Sequence, residues 1–444
     1  MPRKRHTLLY PILLLASLLA QAAPPHGLRL DVEGAIGPAT RDYVIRALHT
    51  AADEQAELVL LCLDTPGGLD SSMRDIIKAI LASPVPVVTY VYPNGARAAS
   101  AGTYILYASH VAAMTPATNL GAATPIPIAP AGTPPEEDKS GKAPRGSTME
   151  RKVINDAVAY IRGLATLRGR NADWAEQAVR EAVSLEADKA LKLNVIDIVA
   201  PNVDTLMQQL DGRKVLLPGG ERVLNTQGIQ LERLTPDWRT QLLATITNPN
   251  VAYILMLIGI YGLIFEFAHP GAILPGVMGA ICLLIALFAF QVLPINYVGL
   301  GLILLGVVLM VAEAFVPSFG VLGIGGITAF VIGSILMFDT GIPGFSIARA
   351  LIGAIALLAA SVLAVTLGLI FKARRRPVVS GAEEMIGALG EAIDERGMVR
   401  VHSELWQTTS SIPLHRGQKV RVIGRDGLIL RVVPENSSER RESS

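Results

Sequence analysis

The sequence predicts a three-part chain: an exported α/β domain on a parallel sheet, a multi-span helical membrane domain, and a small all-β domain of OB type. Three observations carry this. Apolar residues make up 51% and charged residues 17% of the 444-residue chain, against roughly 25% charged in a soluble domain. The apolar excess gathers after Val251 in runs near bilayer length. Before that point buried-strand patterns alternate with helical ones, and after it short strand patterns are punctuated by glycine turns.

Arg3, Lys4 and Arg5 precede the apolar run Leu8–Leu19 and the small-x-small sequence Ala20-Gln21-Ala22. This is the pattern of a secretory signal peptide over residues 1–22, with cleavage after Ala22. Residues 23–235 read as one soluble α/β domain. Leu28–Val32 alternates as a strand does, and Pro38–Ala52 has helical spacing. Leu58–Leu63 is a continuous apolar run that ends in Asp64-Thr65-Pro66-Gly67-Gly68, a buried strand entering a turn. Ser71–Leu81 is helical, and Val85–Tyr92 is a second buried strand stopped by Pro93-Asn94-Gly95. Thr124–Ser147, rich in Pro, Gly, Lys and Glu, reads as a long surface loop, and Thr148–Leu167 as a helix. Residues 236–250 form a linker, and the helical segment around Leu231–Ile246 belongs to that linker or lies on the membrane surface.

Residues 251–372 hold five apolar runs, Val251–Ala268, Gly271–Phe290, Val298–Val316, Phe319–Phe338 and Ala350–Phe371, which predict about five spans. Lys372, Arg374, Arg375 and Arg376 follow the last run and mark its cytoplasmic end. An exported first domain followed by five spans gives the same answer: a multi-pass protein of a bacterial-type inner membrane with its C-terminal domain in the cytoplasm. Within the runs, Glu266-x3-Pro270-x5-Gly276-x2-Gly279 recurs as Glu313-x3-Pro317-x5-Gly323-x2-Gly326. We read this as a duplicated helix–break–helix unit. Carboxylates at such depth face protein or water, and ion translocation is their alternative role.

Residues 379–434 carry strand patterns at Gly397–His402, Ser411–Leu414, Lys419–Ile423 and Leu428–Val433, with a polar tail at 435–444. They suggest a five-stranded OB-type barrel. Trp406 is its only Trp, Tyr or Phe, too little for the stacking platform of an oligonucleotide binder. Protein is the better partner. Lys plus Arg total 39 against 38 Asp plus Glu, which lacks the basic excess of a nucleic-acid-binding chain. The two cysteines, Cys62 and Cys282, make neither a disulfide framework nor a zinc site, and no metal or cofactor is expected.

Three features of the exported domain point to chemistry. Gly67-Gly68 ends a buried strand in a turn whose backbone N–H groups are placed to stabilise an oxyanion; an ordinary strand-to-helix turn has the same residues. Ser100, in Gly95-Ala96-Arg97-Ala98-Ala99-Ser100-Ala101-Gly102-Thr103, follows a strand and precedes a helix among small side chains. That setting suits a nucleophile and equally an N-cap. A serine nucleophile needs a base. His49 and His110 are the histidines well inside the domain, neither in a distinctive setting. Ser-Lys pairs also perform acyl chemistry when the lysine is desolvated enough to lose its proton near neutral pH. Lys139 and Lys142 fall in the polar loop. Lys152 starts an amphipathic helix with the apolar stripe Val153, Ile154, Ala157, Val158, Ile161 and Leu164, where a snorkelling surface lysine is the plain alternative. Leu69, Ile105 and Leu106 are the apolar candidates for a subsite.

These residues carry a resemblance. Leu63-Asp64-Thr65-Pro66-Gly67-Gly68, the Gly95–Thr103 segment, Asn119-Leu120-Gly121-Ala122-Ala123 and Lys152-x2-Asn155 resemble the long membrane-bound proteases of the NfeD family. The exported domain is similar to ClpP-class serine proteases and to signal peptide peptidase A. The likeness continues through Glu266–Gly271, Glu313–Gly320 and the C-terminal module with Trp406, Gly417 and Gly427. It implies a crotonase-like α/β fold and a Ser-Lys dyad, with Ser100 as nucleophile and Lys152 as general base. It implies an oxyanion hole from the N–H groups of Gly68 and Ala101. It further implies a homodimer or larger assembly, and a stomatin- or SPFH-type membrane partner whose hydrophobic segment is cut. The Ser100-to-Lys152 interval is long, because the 124–147 loop lies within it. Lys152 keeps its place relative to Asn155 and Ala159-Tyr160-Ile161 and is preferred to Lys139 and Lys142, with the loop covering the cleft. The alternative function is a non-catalytic membrane scaffold that organises the same kind of partner.

Overall fold

The computed structural model describes residues 25–126, 148–316, 318–338, 341, 344–374 and 384–435. The signal peptide, Lys139, Lys142, most of the 124–147 loop and nearly all of the polar tail lie outside them. The chain forms two compact units, Met1–Ala360 and Ser361–Ser444.

The first unit begins with β1 (His26–Glu33), α1 (Pro38–Asp53), β2 (Val59–Asp64), α2 (Asp70–Ala82), β3 (Val87–Val91), β4 (Arg97–Ala99), α3 (Ala101–Ala108), β5 (Val111–Met114) and β6 (Asn119–Gly121). After the 127–147 interval come α4 (Thr148–Arg168), α5 (Ala172–Arg180), β7 (Ser184–Glu186), α6 (Ala187–Lys192), β8 (Ile198–Val199), α7 (Val203–Leu210), β9 (Lys214–Leu217), β10 (Gly220–Val223), β11 (Gln230–Arg233) and α8 (Trp238–Ile246). The main sheet is parallel, in the order β11-β1-β2-β3-β5-β8.

The unbroken apolar run of β2 has a direct cause. Val59, Leu61 and Leu63 pack into one core, and Leu58, Leu60 and Cys62 into a second on the other face. A strand covered on both faces cannot alternate in polarity. A smaller sheet, β4-β6-β7, stands beside the main one and carries Ser100 at the end of β4.

One expected element differs. The segment read as helical around Leu231–Ile246 is a strand followed by a helix. Gln230–Arg233 pairs in parallel with β1 at the sheet edge, and the helix starts at Trp238 with Asp237 as its cap. The periodicity of these short pieces merged across Pro236.

The membrane helices are α9 (Pro249–Ala268), α10 (Leu274–Val292), α11 (Tyr297–Phe315), α12 (Val321–Met337) and α13 (Arg349–Arg374). Among the described residues four are long and apolar enough to cross a bilayer, whereas α12 has 17 residues. The five apolar runs thus form five helices, four of them long enough by length and composition to cross a bilayer and α12 shorter. The turn before α12 consumes the start of its apolar run, because Phe319 and Gly320 both have positive φ, 57° and 94°. The α9–α10 and α11–α12 hairpins are the two copies of the duplicated sequence unit. Each closes on glycine: a side chain at Gly306 would stand 2.6 Å from the Gly326 carbonyl oxygen, so only small residues permit this approach.

The two repeat carboxylates differ in their surroundings. Glu313 Oε1 accepts from the N–H of Ser318 and Gly320, and Oε2 accepts from Ser318 Oγ and the Gly323 N–H, at 2.6 to 3.1 Å. It caps the N-terminus of α12, where a negative charge is favoured. Glu266 accepts one N–H, from Gly271 at 3.3 Å.

The membrane hairpins and the α/β domain share a core within this unit. Leu69 of the α/β domain clusters with Tyr253, Phe290, Leu293, Phe330 and Phe345.

The second unit holds a closed barrel, β12 (Leu389–Ala392), β13 (Met398–Val401), β14 (Glu404–Thr409), β15 (Lys419–Asp426) and β16 (Ile429–Pro434), in the order β12-β13-β14-β16-β15. Val399, Val401, Val420, Val422, Leu430 and Val432 fill it. The OB-type barrel expected from the sequence is present. Its third strand is Glu404–Thr409, not Ser411–Leu414, and its first, Leu-Gly-Glu-Ala, is too short and weakly patterned to read from sequence. The fold class stands in all three parts.

Candidate active site

Ser100 occupies the one-residue joint between β4 and α3, with φ 51° and ψ −113°. Positive φ costs a non-glycine residue energy. The surrounding hydrogen bonds hold it there. The Ser100 N–H donates to Gly121 O at 3.0 Å. Thr103, wholly buried, donates from Oγ1 to Ala98 O at 2.8 Å and accepts from the Gly121 N–H at 3.0 Å. One threonine thus ties β4, β6 and α3 around the serine. A serine at a strained strand-to-helix turn among small residues is the setting of a nucleophile elbow. The Ser100 side chain makes no capping bond to α3, so its hydroxyl is not spent on the N-cap role that the sequence also allowed.

The other end of α3 is satisfied by cations. Arg170 donates to Leu106 O and Tyr107 O, both at 2.9 Å, and Arg168 to Ala108 O at 2.9 Å. Positive charge at a helix C-terminus complements the dipole and fixes the helix whose first turn begins beside Ser100.

The Gly67-Gly68 turn packs directly on this elbow. At Gly67, φ is 119°, and a Cβ there would stand 2.8 Å from Ser100 Cβ. At Gly68 a Cβ would stand 2.3 Å from Ile36 O. Ile36 donates to Gly67 O at 2.8 Å and accepts from the Leu69 N–H at 2.8 Å, so the strap on one side of the glycines is a rigid backbone pairing. Thr65 Oγ1 accepts from the Gly67 N–H at 3.1 Å. Neither the Gly68 nor the Ala101 N–H has an acceptor among the described residues.

Ser100, Gly68 and Ala101 line one cavity of about 410 Å³. Its walls include Leu69, Met73, Tyr104, Ile126 and Ala157, and Val292, Leu293 and Pro294 from the end of α10. Asp70 and Arg74 bring polar groups to it. Of the expected subsite residues, Leu69 lines the cavity. Ile105 and Leu106 do not; both are fully buried in the α/β core.

Lys152 sits exposed in the second turn of α4 and is not among the residues that line the cavity. Asp156, one turn further along the same face, bonds Arg74 at 2.6 Å. Arg74 also lies over the Tyr160 ring, 4.5 Å from its centroid. The face of α4 that bears Lys152 is thereby joined to the cavity through Arg74. The histidine alternatives do not reach it. His49 is exposed on α1. His110 is half-buried, its Nδ1 accepts from the Val87 N–H at 3.1 Å, and desolvation, with Arg168 and Arg170 nearby, pushes its pKa down to about 3. Among the described residues no group of acidic, histidine and cysteine side chains has the makings of a metal site. Burial pushes the Cys62 thiol up to about 12.

Thr65, Thr103, Arg74, Asp156 and the end of α10 are parts of the site that the sequence pattern alone does not mark. A threonine fixed at +3 from the serine was the available signal for Thr103. The contribution of α10 has no local signal, because it is made some 190 residues away in sequence.

Three family profiles match consecutive parts of the chain: the NfeD1b N-terminal domain over residues 29–215, the NfeD integral membrane domain over 250–371, and the NfeD-like C-terminal, partner-binding domain over 382–434. The chain is 37% identical to membrane-bound protease PH1510 of Pyrococcus horikoshii over 420 residues, 91% of this chain and 92% of that protein. It is 30% identical to membrane protein NfeD1b of Bacillus subtilis over 308 residues, 68% of this chain and 65% of that one. Among solved structures, a lysine-to-alanine variant of the 1510-N membrane-bound stomatin-specific protease in complex with a substrate peptide is 35% identical, with a TM-score of 0.44, and covers 50% of this chain and 98% of that one.

Proposed function

The chain belongs to the NfeD family, and from that premise we propose that it is a membrane-bound serine endopeptidase in which Ser100 is the nucleophile and Lys152 the general base. Its substrate is a hydrophobic segment of a membrane-associated protein, of the stomatin or SPFH type.

The observation that carries the reading is the strained Ser100 turn beside two free N–H groups, opening into an apolar cavity. The neutral Lys152 amine takes the Ser100 Oγ proton as Oγ bonds to a peptide carbonyl carbon. The carbonyl electrons move to oxygen, which accepts from the Gly68 and Ala101 N–H groups. The tetrahedral centre collapses, the C–N bond breaks, and Lys152 returns the proton to the leaving amine. Water then attacks the acyl-enzyme by the same route and frees Ser100. Lys152 is exposed without substrate, and an apolar polypeptide laid across the cavity and the start of α4 supplies the desolvation that a lysine base needs.

In the same reading the α/β domain works on the exported side, the barrel lies in the cytoplasm, and the working form is a homodimer or larger. Periplasmic and cytoplasmic accessibility labelling on either side of the spans checks the first two. The position of Lys152 outside the cavity lining favours one second reading, a non-catalytic scaffold that binds the partner without cutting it.

The deciding experiment incubates full-length chain in detergent, as wild type, Ser100→Ala and Lys152→Ala, with apolar peptides and a stomatin-type C-terminal segment, and maps new N-termini by mass spectrometry. Cleavage by wild type and by neither variant is expected. Binding without cleavage by all three establishes the scaffold. Loss on Ser100→Ala alone removes Lys152 as the base.

A further inference from the structure

Part of the cavity wall comes from the membrane domain. Val292, Leu293 and Pro294 stand at the exit of α10 and face a space whose other walls are Leu69, Met73 and Tyr104. Leu293 is 4% exposed. Its N–H donates to Ala289 O at 3.0 Å, which continues α10 by one bond, and its side chain belongs to the core formed by Tyr253, Phe290 and Phe338. Such a residue is held in place by packing and does not yield like a surface side chain. Leu69 belongs to the same core and directly follows Gly68. Leu69 and Leu293, both lining the cavity, therefore belong to one cluster that the membrane hairpins complete.

We infer that Leu293 is a specificity-determining residue: the membrane domain closes the apolar subsite beside Ser100 and limits the size of the apolar side chain it accepts. The inference rests on Ser100 being the centre of the substrate site, and it names a feature of substrate choice that the α/β domain alone does not contain. The cavity offers apolar walls and few polar groups on this side, so the side chain it selects is aliphatic or aromatic. Its depth is set by Leu293.

The test uses full-length chain in detergent with peptides that differ at one apolar position flanking the scissile bond, as Ala, Val, Leu or Phe. Two readouts are kept apart. In the Ser100→Ala background, binding of each peptide is compared with and without Leu293→Ala. In the Ser100-intact chain, kcat/KM is compared for wild type, Leu293→Ala and Leu293→Phe. Removing three carbons from the wall is expected to raise preference for Phe over Leu by roughly tenfold or more, since a methylene in an apolar pocket discriminates about 10- to 200-fold. Leu293→Phe is expected to shift preference toward Ala and Val. An unchanged binding order overturns the inference whether or not the chain cuts, and so does an unchanged kcat/KM order in a chain that cuts. Failure of every peptide to bind overturns it as well. A shifted binding order in a chain that cuts nothing supports the subsite and refutes the protease reading instead.

Discussion

Thr103→Val tests how the nucleophile turn is held. The two side chains have nearly the same shape, so packing is kept and the hydroxyl alone is removed. The hydroxyl is fully buried, donates to Ala98 O and accepts from the Gly121 N–H. Without it the Gly121 donor is left unpaired in the interior, at a cost of about 1–3 kcal/mol, and the lost bond to Ala98 adds about 1 kcal/mol. The sum, about 2–4 kcal/mol, corresponds to a roughly 30- to 700-fold rise in local opening at about 1.4 kcal/mol per tenfold. Native-state hydrogen exchange followed by mass spectrometry reads this directly in peptides spanning 98–104 and 119–121. Thr103→Ser keeps the hydroxyl and loses one methyl, so it should stay within about tenfold of wild type, as ~1 kcal/mol per buried methylene predicts. Exchange of Thr103→Val at the wild-type rate, or of Thr103→Ser as fast as Thr103→Val, would refute the assignment of Thr103 as the tie. Because a displaced Ser100 also misaligns attack, peptide cleavage by Thr103→Val should fall with exchange and be restored in Thr103→Ser.

Gly68→Ala forces a Cβ to within 2.3 Å of Ile36 O, so the turn must move; kcat should drop by about 10²–10³, the usual effect of losing one oxyanion donor, with KM little changed, and steady-state kinetics giving full kcat would eliminate Gly68 as a donor. His110 is held neutral in the folded chain, with its pKa pushed down to about 3 from an ordinary 6.5. The unfolded chain therefore binds the extra proton as pH falls through 6.5, and stability is lost from there down toward pH 3, by up to about 1.4 kcal/mol per pH unit. His110→Gln should flatten the dependence of melting temperature on pH between 6.5 and 4, and an equally steep slope in the variant would assign the loss to other groups. Glu313→Gln keeps an acceptor for the Ser318 and Gly320 N–H groups but turns an amide NH₂ toward the Gly323 N–H. It should cost about 1–2 kcal/mol, as loss of a helix cap does, seen as a lower melting temperature in detergent, and transport assays should not be needed to detect it.

Much of the fold was legible because its elements obey strong periodicities. Leu58–Leu63 is a continuous apolar run and Val85–Tyr92 nearly so, because the sheet is covered on both faces, and the structure places strands within one or two residues of both. The membrane helices follow from run length, but the ends of α12 did not, because positive φ at Phe319 and Gly320 is set by the hairpin turn and not by hydropathy. Short strands such as Leu389–Ala392 and Gln230–Arg233 are fixed by pairing with distant partners, which no four-residue window records. At the candidate site, Ser100, Gly68 and Ala101 meet in one cavity, and the small residues around them were the readable mark of close packing. Arg74, Asp156 and Leu293 reach the site through tertiary contacts between segments far apart in sequence and were not readable.

The placement of Gly68 between two packed bodies gives the site its particular mechanical character. On one side its neighbours are clamped to Ile36 by two backbone hydrogen bonds of 2.8 Å each, within the core of the α/β domain. On the other, Leu69 is inserted in the core completed by the membrane hairpins. An N–H group held this way cannot rotate without either breaking a backbone pair or opening an apolar core, and each of those costs more than a kilocalorie or so. Preorganised donors are what an oxyanion site requires, because their orientation is set before charge develops. The membrane domain is then more than an anchor for the α/β domain: the residue that follows Gly68, the proposed donor, is folded into it, and the precision of the turn depends on both halves of the unit being packed together.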